Sequence, residues 1–229
     1  EHFRLDLVRW VIGVFLDLQQ KQEGSMATKA FGRKDFEVLL DETISLMDRA
    51  IIFATRAHSG TYRKGTNIPY IVHPIEAAAI VSTMTYDPDM IAAAVLHDVV
   101  EDTDATVEEI RFFFNDRIAR LVEAESEDKR KDLPPQDTWM IRKMETLNFL
   151  KNEADRDAKI LALADKLSNI RAIHRDQKTV GDQLWERFNE KRKEKHGWMY
   201  RQVADALSEL SDSFAWQEYD ELVRKTFEE

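Results

Sequence analysis

The chain has 229 residues, of which only 7 are Gly and 5 Pro, while 33% are charged and the net charge is −10. That length suffices for one large domain with a sizeable core, and the scarcity of helix breakers favours an all-α fold. The absence of Cys excludes a disulfide scaffold and thiolate chemistry, and the acidic balance argues against broad binding of nucleic acid. A phosphate ligand stays compatible with an acidic chain if a metal and a few cations are concentrated in one cleft.

In chain order, Phe3 to Gln22 reads as an apolar helix carrying Leu5, Val8, Val11, Ile12, Phe15 and Leu18. Asp6, Arg9 and Asp17 make it too charged for a membrane span, and neither the basic start nor the cleavage site of a signal peptide is clear. Gly24-Ser25-Met26 reads as a cloning junction before a start methionine, so residues 1–25 are expected to be an appended helix. The alternative is a native amphipathic helix that docks on the domain or on a partner. From Asp35 the pattern becomes regular. Phe36 to Ala57 predicts one long helix with Val38, Leu39, Ile44, Met47, Ile51 and Ile52 on its buried face. Ser59 to Asn67, with Gly60 and Gly65, predicts a loop. Pro74 permits a helix start that continues through Ala77 to Met84, and Asp87-Pro88 announces another over Asp89 to Val100. Thr106 with Glu109 fits a capping box. Glu127 to Gln136 predicts a charged loop, Asp137 to Asn152 and Asp157 to His174 two helices, and Gly181 to Phe227 two or three more. No alternating apolar run argues for a sheet.

The stretch with most chemical content is Leu96-His97-Asp98-Val99-Val100-Glu101-Asp102-Thr103. Adjacent His97 and Asp98 diverge by about 100° on a helix, so both reach one ion only if it sits beside the helix end. Glu101 and Asp102 follow one turn later on the same faces. Four ionisable groups ending an apolar helix are costly to bury without a cation. The ordinary reading, a solvated acidic helix end, puts carboxylates where they oppose the helix dipole.

Two further segments flank this one: Arg63-Lys64-Gly65-Thr66-Asn67-Ile68-Pro69-Tyr70-Ile71-Val72-His73-Pro74 upstream and Leu163-Ala164-Asp165-Lys166-Leu167-Ser168-Asn169 downstream. Taken in order, the three resemble the hydrolase domain of the Rel/SpoT alarmone family in the HD superfamily, above all its stand-alone small alarmone hydrolases. The likeness runs from about Phe36 to about His174. It implies an all-α HD-domain helical bundle, with the HD phosphohydrolase domain over residues 26–180; residues 181–229 carry no family pattern and are expected to be C-terminal helices packing on the same domain. It also implies His73, His97, Asp98 and Asp165 as ligands of one Mn²⁺ per chain, with other divalent transition metals able to use the same groups. Glu101 and Asp102 carry over as the acid/base pair that handles the attacking water, with the choice of base open. Arg63, Lys64 and Asn169 carry over as nucleotide contacts, and Lys159 and Lys166 as weaker candidates for phosphate.

The implied reaction is hydrolysis of the 3′-pyrophosphate of guanosine tetra- and pentaphosphate to GDP or GTP and pyrophosphate. Two alternatives keep the site: removal of the 2′-phosphate of NADPH, or action on an adenosine alarmone. A third is a nucleotide-binding regulator without catalysis, against which all ligand and acidic positions are filled. The sequence holds no synthetase-like segment, so degradation rather than synthesis is expected. The expected partner is a small nucleotide, without nucleic acid or membrane and with a homo-oligomer open, in the cytoplasm. The loop between Lys64 and Pro69 differs from the family's commonest Ser-Gly-Glu version and leaves base selectivity open. His58 is expected to be a satisfied buried histidine supporting the loop, while His174 and His196 match nothing. Trp185, Trp198, Tyr200, Phe214 and Trp216 are expected in the core, with an oligomer interface as second reading.

Overall fold

The computed structural model describes residues 31, 33–130 and 132–228; the helix expected near residues 3–22 and the junction at 24–26 lie outside the described residues. Helices α1 (Arg33–Leu39), α2 (Leu46–Ala57), α3 (Val72–Val81), α4 (Pro88–Leu96), α5 (Val99–Asp102), α6 (Val107–Phe113) and α7 (Asp116–Glu125) come first. Then follow α8 (Pro135–Asn152), α9 (Arg156–Val180), a 3₁₀ segment (Gly181–Arg187), α10 (Lys193–Ala206) and α11 (Phe214–Phe227). No strand occurs among the described residues. An isolated antiparallel bridge between Tyr62 and Pro69 closes the Arg63–Ile68 loop.

The single helix expected over Phe36 to Ala57 is two. The Asp41 carboxylate accepts hydrogen bonds from Thr43 N (2.9 Å) and Oγ1 (2.7 Å), offering the backbone a turn in place of the helix. Ser45 then caps α2 by accepting from Asp48 N. The expected capping box is present, with Thr106 and Glu109 bonded reciprocally at the start of α6. The helix expected over Asp89 to Val100 stops at Leu96, and His97 and Asp98 form the corner before α5. His97 Nδ1 lies 2.8 Å from the Ala94 carbonyl oxygen, a local side-chain bond that competes with helix continuation.

After Asp89, helix α4 is apolar on every side, and Ala92 to Leu96 are fully buried, as a helix through the middle of a core must be. It packs on α2, α3 and α7, while α9 packs on α3, α4, α7 and α11. Small residues line these contacts: Ala77 and Ala78 on α3, Ala92, Ala93 and Ala94 on α4, and Ala162 and Ala164 on α9 are all buried. Interhelical distance follows the bulk of the side chains between the axes, so these alanines let three backbones approach closely. Of the aromatic set, Trp185 is buried and Trp198, Tyr200 and Trp216 pack against the core. Phe214 instead stands exposed at the first position of α11. No helix among the described residues is long and apolar enough to cross a membrane.

Candidate metal and active site

The close approach of α3, α4 and α9 brings together groups far apart in sequence. His73 in the first turn of α3, His97 at the end of α4 and Asp165 within α9 each offer one ligand atom, all within 4.8 Å of one another. His73 Nε2 lies 3.0 Å from Asp165 Oδ1 and 3.3 Å from Asp98 Oδ2. His97 Nε2 lies 3.1 Å from Asp98 Oδ2 and 3.6 Å from Asp165 Oδ1.

Hydrogen bonds behind the rings decide which nitrogen faces the cluster. The Ala94 carbonyl can only accept, so Nδ1 of His97 carries the proton. Behind His73, Ser168 Oγ donates to Glu76 Oε2 at 2.7 Å, and must therefore accept from Nδ1–H of His73 at 2.8 Å. Each ring then turns its Nε2 inward, the orientation that partners behind a metal-ligating histidine enforce. His97 Nε2 is buried and makes no hydrogen bond of acceptable geometry. Such an orphan is costly unless a cation takes its lone pair.

The electrostatics point the same way. Burial alone would raise the Asp98 and Asp165 carboxyls, yet both are held well below the usual carboxylate range, by His97 and His73 and, for Asp165, first by Lys166. Burial opposes charge on His97, but the same two carboxylates outweigh it and raise its pKa. A field that holds a proton on a buried imidazole also favours a divalent ion in the proton's place. Two imidazoles and two carboxylates without a thiolate suit a divalent ion such as Mn²⁺, Fe²⁺, Co²⁺ or Zn²⁺. The residues present fit a metal, and His73, His97, Asp98 and Asp165 would hold it.

Glu101 and Asp102, on α5, border this cluster. Tyr70 sets one hydroxyl proton between two carboxylates, 2.7 Å from Asp98 Oδ2 and 2.6 Å from Asp102 Oδ2. Lys129, from the 126–134 loop, pairs with Asp102 Oδ1 and lies 3.4 Å from Glu101 Oε1. The Glu101 carboxyl is pushed up by burial and by the negative charges of Asp98 and Glu127. A cleft of about 960 Å³ opens from these groups, lined among others by Arg63, Lys64, Trp139, Lys143, Phe188 and Tyr200.

The structure brings most of the expected contact residues to the cleft wall. Arg63 Nη2 donates to Asn169 Oδ1 (2.6 Å), and Asn169 Nδ2 donates to Asp165 Oδ1 (2.6 Å), so Arg63 and Asn169 extend the metal cluster outward. The Arg63 guanidinium also lies over the Tyr70 ring, 5.6 Å from its centroid. Lys64 and Lys166 line the cleft, but the Lys166 ammonium is bonded to Asp165. Burial works against that charge, and Asp165 and Glu125 hold it on.

Lys159 corrects the expectation of a phosphate contact. It does not line the cleft and pairs with Glu209 (2.7 Å), because its position along α9 turns it toward the Ser208–Leu210 segment. His58 is buried and packs on Tyr70 as expected of a supporting residue, but its Nε2 lacks a hydrogen-bond partner, and burial lowers its pKa. His174 Nδ1 lies 3.0 Å from Thr226 Oγ1. His196 lines the cleft beside Trp139, Trp185 and Phe188, with Nε2 2.7 Å from the Glu190 carbonyl.

Sequence reasoning missed Tyr70, Lys129, and the cluster in which Glu127 binds Arg142 (2.9 Å) and Lys143 (2.6 Å). Tyr70 was within reach, three residues before His73 and so one turn away in a helical start. Lys129 and Glu127 sit in a loop whose path no local pattern announces.

Comparison with known proteins covers the segment that carries these residues. Residues 50–191, more than half of the chain, match the family model described as HD domain. The chain is 34% identical over 127 residues to the guanosine-3′,5′-bis(diphosphate) 3′-pyrophosphohydrolase of Aquifex aeolicus, covering 56% of this chain and 18% of that protein. It is 35% identical over 133 residues to the GTP pyrophosphokinase rsh of Brucella ovis, covering 58% of this chain and 18% of that protein. The chain thus spans less than a fifth of the length of these curated relatives. Among solved structures it superposes on a metazoan orthologue of SpoT described as hydrolysing ppGpp, with a TM-score of 0.65, 26% identity, and coverage of 80% of this chain and 96% of that one. A Listeria monocytogenes protein gives a TM-score of 0.60 at 27% identity, covering 69% of this chain and 99% of that one. With His73, His97, Asp98 and Asp165 and the helices α3, α4 and α9 all inside the matched segment, the chain belongs to the HD domain family.

Proposed function

We propose that this chain is a metal-dependent phosphohydrolase that removes the 3′-pyrophosphate of guanosine tetra- and pentaphosphate, yielding GDP or GTP and pyrophosphate. The observation that carries the reading is the convergence of His73, His97, Asp98 and Asp165 on one point, with Glu101 and Asp102 beside it at the floor of a nucleotide-sized cleft. The names of the Aquifex relative and of the SpoT orthologue support the substrate class. Mn²⁺ is the proposed ion, one per chain. When bound, it would supply Lewis-acid polarisation of the phosphoryl group and make water easier to deprotonate.

The chain's own residues divide the remaining work. Glu101, whose carboxyl is raised by burial, is suited to exchange a proton with the attacking water. Asp102 is held on both sides by Tyr70 and Lys129, so it orients rather than wanders. Arg63 offers a flat cation for stacking on a base, with Asn169 fixing its far end, and Lys64 adds charge for phosphate. A cytoplasmic setting and a small nucleotide as partner belong to the same reading.

Attack at the phosphorus bonded to the ribose 3′ oxygen breaks that P–O bond and leaves pyrophosphate as product. Purified protein with Mn²⁺ is therefore expected to release pyrophosphate from guanosine tetraphosphate and no orthophosphate. NADPH, through its 2′ position, would instead yield orthophosphate. Orthophosphate alone, with guanosine tetraphosphate untouched, would sink the alarmone assignment and leave the metal phosphohydrolase standing. In the same assay Arg63→Ala is expected to raise KM several-fold with the metal content unchanged, because it removes stacking rather than chemistry. An unchanged KM would remove Arg63 from the substrate contacts.

A further inference from the structure

The hydrogen bonds behind His73 do not end at Ser168. Ser168 Oγ donates to Glu76 Oε2 (2.7 Å), and the other oxygen of that carboxylate, Oε1, accepts from Arg171 Nη1 (3.1 Å). Arg171 then grips Glu218 with two parallel bonds, Nε to Oε1 at 2.7 Å and Nη2 to Oε2 at 2.6 Å. The chain therefore runs from the imidazole on α3, through α9, back to α3 and α9, and out to α11. Its inner end is dry, with Ser168 1% and His73 3% exposed, and its outer end is half-buried.

Each link leaves one arrangement of protons. Arg171 only donates, so both carboxylates are acceptors; Glu76 then takes the single Ser168 hydroxyl proton, and Ser168 takes the ring proton of His73. The result is His73 with its proton on Nδ1 and its lone pair at Nε2, beside Asp98 and Asp165. An exposed Arg–Glu pair by itself contributes little. Here the two-pronged grip fixes a planar group whose third nitrogen holds Glu76, so its effect is geometric and is felt at the buried end. Glu218 lies on α11, beyond residues 50–191 that match the family model.

We propose that Glu218 is a positioning residue for the metal centre, fixing the ring orientation and tautomer of His73 through Arg171, Glu76 and Ser168. The proposal rests on the metal reading of this site and is independent of which nucleotide it hydrolyses. It makes the C-terminal helix part of the outer support of the ligand set, where loss of a partner usually costs about 10- to 100-fold in metal affinity.

The test is a titration of the metal-free, full-length protein with Mn²⁺ alone, following free Mn²⁺ by electron paramagnetic resonance. Ser168→Ala is expected to weaken Mn²⁺ about 10- to 100-fold, and Glu218→Gln, three links away, about 3- to 10-fold. The decisive reading is the double variant. If Glu218 acts through Ser168, adding Glu218→Gln to Ser168→Ala brings no further loss; if α11 only contributes packing, the two losses multiply. Glu76→Gln breaks the same chain at another link and is expected to show the same non-additivity, should Ser168→Ala fold poorly. Glu221→Gln, on the same helix but paired with Lys225, is expected to bind Mn²⁺ as wild type does. Wild-type affinity in Glu218→Gln, or a full independent loss in the double variant, would overturn the proposal. Wild-type protein that binds neither Mn²⁺ nor Fe²⁺, Co²⁺ or Zn²⁺ would remove the metal centre and the relay with it. Weaker Mn²⁺ binding as described, in protein that ignores guanosine tetraphosphate, would uphold the relay and discard the substrate.

Discussion

His97→Ala is expected to abolish both metal content and turnover. The side chain is 1% exposed, its Nδ1 is committed to the Ala94 carbonyl, and its Nε2 has no hydrogen bond of its own. Removing the ring takes away one of four donors, a ring held in place by the Ala94 carbonyl of the preceding turn. It also leaves Asp98 and Asp165 without one of the positive neighbours that hold both ionised. Metal affinity should therefore fall by more than the ~100-fold that marks loss of an outer partner. Elemental analysis of purified protein decides the matter, since stoichiometric metal retained by the variant would rule out His97 as a ligand. Chelator dialysis of wild-type protein should likewise stop turnover, with Mn²⁺ restoring it better than Mg²⁺, which prefers oxygen ligands and keeps its waters.

Glu101→Gln separates metal binding from chemistry. The substitution keeps the shape of the side chain and its reach toward the Glu127 amide, 3.3 Å from Oε2, but removes the charge and the capacity to hold a proton from water. Turnover is expected to fall about 10²-fold or more, the usual scale for loss of a general acid or base, with the ion retained. Asp102→Asn should produce a comparable fall for a different reason, since it loosens the contacts with Tyr70 and Lys129 that hold the group in place. Loss of the metal in both variants would mean that the two acids are ligands and that the division of roles is wrong.

Much of this was legible in the residues alone. Breaker scarcity and 3.6-residue periodicity are local properties, so the all-α class, the Thr106 capping box and the breaks around Pro74 and Pro88 could be read directly. The dense His97 to Asp102 stretch announced costly groups, and resemblance tied it to His73 and Asp165. The misreadings were also physical. A long apolar pattern over Phe36 to Ala57 concealed the Asp41 turn, because a side-chain bond to the backbone leaves no trace in periodicity. Lys159 is a weaker phosphate candidate from the sequence, but a helix turns, and six residues before Asp165 its ammonium reaches Glu209 instead.

What the sequence by itself determined was the set of donors: which side chains can bind a metal, move a proton or hold a phosphate, and which short segments carry them. What only the tertiary structure decided was direction. The inward face of His73 depends on Ser168, Glu76, Arg171 and Glu218, up to 145 positions away along the chain (218 − 73) and on two other stretches of helix. The lock on Asp102 depends on a lysine from one loop and a tyrosine from the segment before α3. Hydrogen-bond direction is set by what stands on the far side of each group, and that neighbour is chosen by packing between helices rather than by order along the chain.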